Sequence, residues 1–447
     1  MAGKTKNLTS GPIGKSLLLF AIPLLVGTLI QQLYNTVDLI FVGNLVNKSA
    51  SAAIGASSLL ISCLIGFFNG MSVGSGVVAA QIFGAGDRSR LSKAVHNTMT
   101  LALAGGVVLM VLGYLLAPVY LKLIRTPEHL QADAAGYLRI YFLSFLSVTV
   151  YNFGAGILRA LGNSRSPVQA QLCGGLMNVA MDWLFIAALN GGVRGVAWAT
   201  LISQTTAAGI IVWKLWHLEE DYAFRPKKMG FDRRILKQVI SIGVPAGIQS
   251  MVITLSNVFV QAHINGFGED AIAAFTAYFK VESLIYAPIL ALGSAIMTFA
   301  GQNKGAGNFP RIRTGTMRCL AISMVLAETT ALICIPLGGV LFRLFNPEQE
   351  VIALGRQIIE TTFPFYCIYS ILQILGESMR GVGKSRMPMI IILTNICLIR
   401  TVLLAIIVPK SPSVRTVAAA YPITWALTSA CMSVYYFSWH RKHKREE

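Results

Sequence analysis

"AQIFGAGDRSR", residues 80–90, returns 221 positions later as "GQNKGAGNFPR", residues 301–311. "LRALGNSRSPV" (158–168) returns at the same shift as "MRGVGKSRMPM" (379–389). Pro23 in "AIPLLVG" answers Pro245 in "GVPAGIQ", and Asn35 answers Asn257, both at a shift of 222. "RTPEH" (125–129) also matches "FNPEQ" (345–349). Four landmarks recurring in one order at nearly one spacing mark an internal duplication.

The duplicated material is apolar. The chain has 447 residues, 54% of them hydrophobic and 13% charged, with a mean hydropathy of +0.63. A soluble protein of this length carries charge on about a quarter of its residues. Long apolar runs between charged or Gly/Pro punctuation predict twelve membrane spans. Their limits are 16–42, 51–79, 95–124, 132–158, 167–190, 195–217, 239–265, 271–299, 314–342, 352–379, 389–409 and 415–439. Short alternating segments, the mark of a membrane β-barrel, do not recur. The expected fold is an all-α polytopic membrane protein with two six-helix bundles. Residues 1–217 form the N-terminal half, 218–238 a cytoplasmic linker, and 239–447 the C-terminal half. Six spans per half give both halves the same orientation, related by an axis along the membrane normal. Such repeats hold substrate between the halves and alternate access to it. No selectivity filter or ring of charges points to a channel.

A formal charge of +18 invites a nucleic-acid reading. The placement of the charge argues against it. Of 37 Lys and Arg, 26 fall at the termini and in every second loop, nine in the alternate loops, and Lys280 and Arg400 inside apolar runs. That bias places both termini in the cytoplasm of a cell-membrane protein, with lipid rather than nucleic acid as neighbour. The seven cysteines sit within apolar runs without paired CxxC spacing, as small packing residues do. The first apolar run is too long for a cleavable signal peptide, so the first helix is expected to stay inserted.

Each half serves as a control for the other. Asp38 in "QQLYNTVDLIFVGNL" (31–45) faces Val260 in the repeat, while Asn178 and Asp182 in "GGLMNVAMDWLFI" face Ile399 and Leu403. Carboxylates that merely held bundles together would be needed in both halves. Asn178 and Asp182 are i, i+4 and share a helix face, and Gln31, Tyr34, Asn35 and Asp38 form a polar stripe at helical spacing. Counting from the predicted outer ends, Asp38, Asp182 and Thr200 sit ~7–12 Å deep. Two carboxylates, an amide oxygen and a hydroxyl at one depth are hard-oxygen ligands suited to a small cation or a proton. The alternative is a set of satisfied polar groups that bond neighbouring helices.

With these features the sequence resembles the multidrug and toxic compound extrusion (MATE) transporters along its whole length. The opening "LTSGPIGKSLLLFAIP", the paired "GAG" loops and the "LGNSR" and "VGKSR" loops carry the likeness. The resemblance implies an N-half cation or proton site of Asp38, Asn178, Asp182 and Thr200, a first-helix bend at Pro23, and a cavity tyrosine at Tyr137. It implies no enzyme activity and no cofactor beyond Na⁺ or H⁺ as coupling ion. The expected activity is secondary active efflux of small organic cations by antiport, in a monomer. The major facilitator superfamily also has six plus six helices, but "GAGDRSR" misses its loop motif, and the second copy lacks the aspartate. A flippase for lipid-linked saccharides is the alternative within the superfamily. It would call for a cationic central cavity, against the acidic N-half site.

The cavity is expected to include Gln31, Tyr34, Asn35, Tyr137 and Glu282, with Phe67, Phe68, Met71, Tyr151 and Phe153 as possible apolar lining. Glu282 has two readings: a substrate contact, or a structural charge neutralised by Lys280, Arg400 or Glu328. An Arg400–Glu328 pair fits the sequence, and Glu377 with Arg380 (i, i+3) reads as a packing pair.

Overall fold

The computed structural model describes residues 7–45, 48–218 and 220–443, with the side chains of 33–54, 56, 187 and 443 outside that description. Among the described residues every regular element is helical. Hydrocarbon offers no hydrogen bonds, so long apolar runs close their backbone bonds within helices. The first half holds α1 (Ile13–Leu45), α2 (Lys48–Gly84), α3 (Arg88–Leu123), α4 (Glu128–Leu143), α5 (Phe145–Ala160), α6 (Arg165–Asp182) and α7 (Gly192–Trp216). The second holds α8 (Arg233–Asn265), α9 (Glu269–Gly305), α10 (Phe309–Cys334), α11 (Gly338–Arg343), α12 (Gln349–Thr362) and α13 (Tyr366–Gly381). It closes with α14 (Arg386–Ile392), α15 (Arg400–Ile407) and α16 (Val414–His443).

Eleven described segments are long and apolar enough to cross a membrane. The twelfth expected span, the fifth in order, is α6 continued by a π-helical segment, Trp183–Ala188. Its repeat counterpart, Arg386–Ile407, has the highest mean hydropathy of the eleven, 2.5.

Two expected spans are each broken in the middle. The fourth divides at Ser144 into α4 and α5, and the tenth divides at a 3₁₀ turn, Phe363–Phe365, into α12 and α13. Pro364 lies in that turn and supplies no N–H for an α-helical bond. The ninth, expected over 314–342, ends at Cys334, just before Pro336, and α11 follows as a separate short helix.

The opening motif is a helix-to-helix turn built twice. Gly86 and Gly307 both have φ +74, a left-handed conformation that a Cβ disfavours. Asp87 then caps α3 by accepting the Arg90 N–H at 2.8 Å, and Asn308 caps α10 by accepting the Arg311 N–H at 3.1 Å. Either side chain accepts this bond, which is why the aspartate is dispensable in the second copy.

The helices sort into two compact units, and the division does not fall at the 218–238 linker. One unit runs from Val26 to Gly247; the other joins Leu8–Leu25 to the chain from Ile248 onward. The expected boundaries kept every helix whole, whereas the units split α1 after Leu25 and α8 after Gly247. Those two points are 222 residues apart, the repeat shift, and each follows its proline by two residues.

Packing explains the split. In the first unit α2 carries Gly70-x-x-x-Gly74 and the start of α8 carries Gly243-x-x-x-Gly247. A Cβ on Gly70 would lie 2.3 Å from the Gly247 nitrogen, and one on Gly74 would lie 2.4 Å from the Val239 oxygen. Backbone meets backbone there, the close approach that small residues allow in membranes. In the second unit the start of α1 buries Leu17, Phe20 and Ala21 against Ala291, Leu292, Ala295 and Ile296 of α9.

Candidate transport site

Asn178 and Asp182 are buried on one face of α6, and Asp182 is fully inaccessible. The α-helix ends at Asp182, and the π-helical segment Trp183–Ala188 begins at the next residue. Such bulges widen the helix and recur at functional sites. α6 packs along α7, and the Ser203 hydroxyl donates to the Gly174 carbonyl at 2.7 Å between them. Thr200 on α7 donates its hydroxyl to the Val196 carbonyl at 3.0 Å, which leaves the oxygen's lone pairs to accept a hydrogen bond or coordinate a cation. Asp182 lies six residues before the end of its helical run and Thr200 eight after the start of α7. Both therefore sit ~9–12 Å from the same end of the bundle.

Tyr34, Asn35 and Asp38 lie outside the described residues as side chains, and only their place in α1 is fixed. Gln31, one turn earlier, lines a cavity of about 140 Å³ with Asn69, Tyr141, Asn152, Gln171 and Gln204. Tyr151 lines it as well. Among the described residues its lining mixes these polar groups with Ile65, Val148 and Ala207 and carries no charge. Tyr137 is buried in the packing behind it, its ring centroid 5.7 Å from that of Tyr141. Phe153 is buried in the core, and Phe67 meets Phe68 edge-on at 5.3 Å. Pro23 lies inside α1, two residues before the division between units.

The second unit has different chemistry. Glu282 Oε1 accepts hydrogen bonds from the Tyr278 hydroxyl at 3.1 Å and from the Tyr366 hydroxyl. Tyr278 and Tyr366 are fully buried. Tyr369 donates to Tyr286 at 3.0 Å, and Trp425 meets Tyr366, Tyr369 and Tyr421 with centroids 4.8, 5.3 and 6.1 Å apart. Arg400 stands 4.3 Å over the Tyr421 ring and donates from Nε (3.1 Å) and Nη2 (2.8 Å) to the Thr424 hydroxyl.

Among the described residues the groups hydrogen-bonded to Glu282 are hydroxyls, Arg400 acts on it through space rather than by a direct bond, and no ion pair joins Arg400 to Glu328. An arginine solvated by a hydroxyl and a π face avoids the cost of an unmatched buried charge. Glu377 and Arg380 do pair, at 2.5 Å, and Arg380 also donates to Gln249 at 2.8 Å. Tyr278 could have been read from the sequence, since it lies one turn before Glu282. Tyr366, Trp425 and Thr424 come from other helices, and no spacing announces them.

A duplicated array of apolar helices, with buried polar groups confined to particular spans, defines a polytopic membrane protein of the repeated transporter type. The MatE family profile matches residues 23–184 and 245–406, one stretch in each half and 222 residues apart. The chain belongs to that family of multidrug efflux transporters.

It is 27% identical over 398 residues to the probable multidrug resistance protein YpnP of Bacillus subtilis, covering 89% of each chain. It is 25% identical to a protein of Shewanella oneidensis described as an FAD transporter, covering 94% of this chain and 93% of that one. Among solved structures, the outward-facing conformation of a multidrug resistance MATE family transporter superposes with a TM-score of 0.90 at 21% identity. That match covers 99% of this chain and 98% of the other.

Proposed function

We propose that the protein exports small organic cations across the cell membrane by antiport with Na⁺ or H⁺, alternating access between its two repeated halves. The observation that carries this reading is Asp182. It is a fully buried carboxylate one turn from a buried Asn178, at a position filled by leucine in the other half. An intramembrane carboxylate costs roughly 2.5–3.5 kcal/mol on insertion scales, so its restriction to one half argues for a task.

In this reading Asp38, Asn178, Asp182 and Thr200 take the coupling ion from outside. A cation held there repels a second cation strongly in a medium of low dielectric, so ion entry weakens drug binding and promotes release. Protonation removes the same negative charge and does the same work. Gln31, Tyr34, Asn35 and Tyr137 border the substrate path in the first unit. In the second, the aromatic walls beside Glu282 suit a flat cation, with its charge on the carboxylate and its rings on the π faces. Pro23 marks the bend of α1. The protein acts as a monomer, with both termini in the cytoplasm and lipid around it.

The test is extrusion of ethidium from energised cells at matched expression, with Na⁺ and proton gradients imposed separately. One gradient is expected to drive the wild type, and Asp38→Asn and Asp182→Asn are each expected to lose that drive. Extrusion that persists with both gradients collapsed would sink the antiport reading. A second reading, export of a flavin dinucleotide, is favoured by the Shewanella relative and by the buried Arg400, a cation set against the Tyr421 ring. Competition of free FAD against ethidium would decide for it.

A further inference from the structure

The repeated "GAG" loops do more than turn the chain. Each unit contains one such loop, and in each unit the residues at or just after it hold the start of a helix that continues into the other unit. In the second unit Gln302 Oε1 accepts the Leu8 N–H at 2.8 Å. Arg311 Nη2 donates to the Ser10 and Gly11 carbonyls at 2.9 and 2.8 Å, with a longer contact of 3.4 Å to the Leu8 carbonyl. The Arg311 guanidinium also lies 5.4 Å over the Phe299 ring, and Leu8 is buried.

In the first unit Thr100 Oγ1 accepts the Gly230 N–H at 3.1 Å, and Asn97 Nδ2 donates to the Asp232 carbonyl at 3.0 Å. Arg90 Nη2 reaches Gln238 Oε1 at 3.2 Å. Gly230 and Asp232 are the residues 222 positions after Leu8 and Ser10. The same two backbone groups are therefore held at both helix starts, an N–H and, two residues on, a carbonyl. Arg90 and Arg311 are themselves 221 apart and occupy one position of the repeat.

We propose that Arg311 and Arg90 are positioning residues of the transport cycle, pinning the starts of α1 and α8 to the units that hold them. Each crossing helix is then fixed firmly before its proline, and the change of shape in the cycle is confined to the joints at Leu25–Val26 and Gly247–Ile248. Without the pin, a half-helix that should move with one unit drifts, and force applied at one half is lost at the joint. This proposal rests on the alternating-access reading above. The two pins differ in strength. Arg311 serves backbone carbonyls beside a buried leucine, whereas Arg90 makes one exposed contact to a side chain. The α1 pin should therefore dominate.

The experiment compares full-length wild type, Arg311→Gln and Arg90→Gln in nanodiscs by hydrogen–deuterium exchange, equilibrium ethidium binding and gradient-driven ethidium transport in proteoliposomes. Arg311→Gln is expected to exchange at least tenfold faster over residues 8–20 only, to bind ethidium within twofold of wild type, and to transport at least fivefold more slowly. Arg90→Gln should show about threefold faster exchange over 230–240 and about twofold slower transport. Unchanged exchange in Arg311→Gln overturns the pin, and faster exchange with wild-type transport overturns its role in the cycle. Should Arg311→Gln fail to fold, the exposed Arg90→Gln carries the same decision. Should wild type move no dye under either gradient, the efflux reading fails, and the pinning stands or falls on the exchange result alone.

Discussion

The fifth and eleventh spans descend from one duplicated segment and now differ in almost every chemical respect. Both follow an "SR" turn, both carry a proline in the first turn, and both contain a π-helical stretch, Trp183–Ala188 in one and Leu393–Ile399 in the other. Asn178 and Asp182 face Ile399 and Leu403 across the repeat, while Arg400 faces Val179. Shared geometry with divergent side chains separates what the fold needs from what function needs. The turns, caps and bulges appear twice and belong to the architecture, whereas Asp182 and Arg400 each appear once and call for their own explanation.

The largest expected effect breaks this comparison directly. Asp182→Asn should lower gradient-driven ethidium efflux at least tenfold in vesicles, at unchanged protein level. The eleventh span has its own buried polar residue, Asn395, whose amide donates to the Ile391 carbonyl at 2.8 Å. Asn395→Ala should change efflux less than twofold. Equal losses in the two variants would make both residues structural.

Packing gives the next effect. Gly70→Ala puts a Cβ within 2.4 Å of the Gly247 nitrogen and the Ala246 carbonyl carbon, all backbone that cannot rotate away. Overpacking of this kind costs about 1–3 kcal/mol. The other unit makes the related contact through Ala21, Ala291 and Ala295, so Ala291→Gly should cost about 1 kcal/mol or less. Thermal unfolding in one detergent checks both, and equal losses would show that the two contacts are packed alike.

A smaller effect probes the second unit. Tyr366→Phe removes one of the two hydroxyls that hold Glu282 while leaving the ring against Trp425. A hydrogen bond to a charged group is worth about 1.5 kcal/mol at the low end, roughly tenfold in affinity. Ethidium titration of the purified protein should show that loss, and Tyr286→Phe should show less, because Tyr286 bonds Tyr369 rather than the carboxylate. Identical affinities in wild type and Tyr366→Phe would remove Glu282 from the substrate path.

Much of this architecture was legible in the residues. Apolar runs long enough to cross a bilayer admit few alternatives to a helix, and the matched "GAG" and "SR" turns fixed the duplication. The breaks at Ser144 and Phe363–Phe365 were hidden because hydropathy continues through them. The exchange of half-helices was hidden for another reason: it is a property of which surfaces meet, and the glycine pairs gain that meaning only when α2 and α8 lie together. At the site, Asp182 stood out by its cost, whereas the tyrosines around Glu282 are individually ordinary in an apolar helix. Only their convergence makes a site.

The smallest expected effect concerns the two pinned helix starts. Asp232 Oδ1 accepts the Ile235 and Arg234 N–H groups at 3.1 and 2.9 Å at the start of α8, while the equivalent position before α1 is Ser10. The Ile235 hydrogen bond above all, with the Arg234 N–H and the nearby Lys93 and Arg234 charges, holds the Asp232 carboxyl below its ordinary value. A depressed folded-state value contributes stability that is present above the unfolded value, about 3.9, and is lost as pH falls through the folded one. Asp232→Asn keeps an acceptor but does not titrate, so the wild type's small advantage in Tm should be constant from pH 7 to 5, begin to fade near pH 4 and be lost as the pH falls further. Ser10→Ala should show no such pH dependence. If the wild type's advantage instead grew on acidification, the aspartate would be bonding in its protonated form and the cap geometry would need another account.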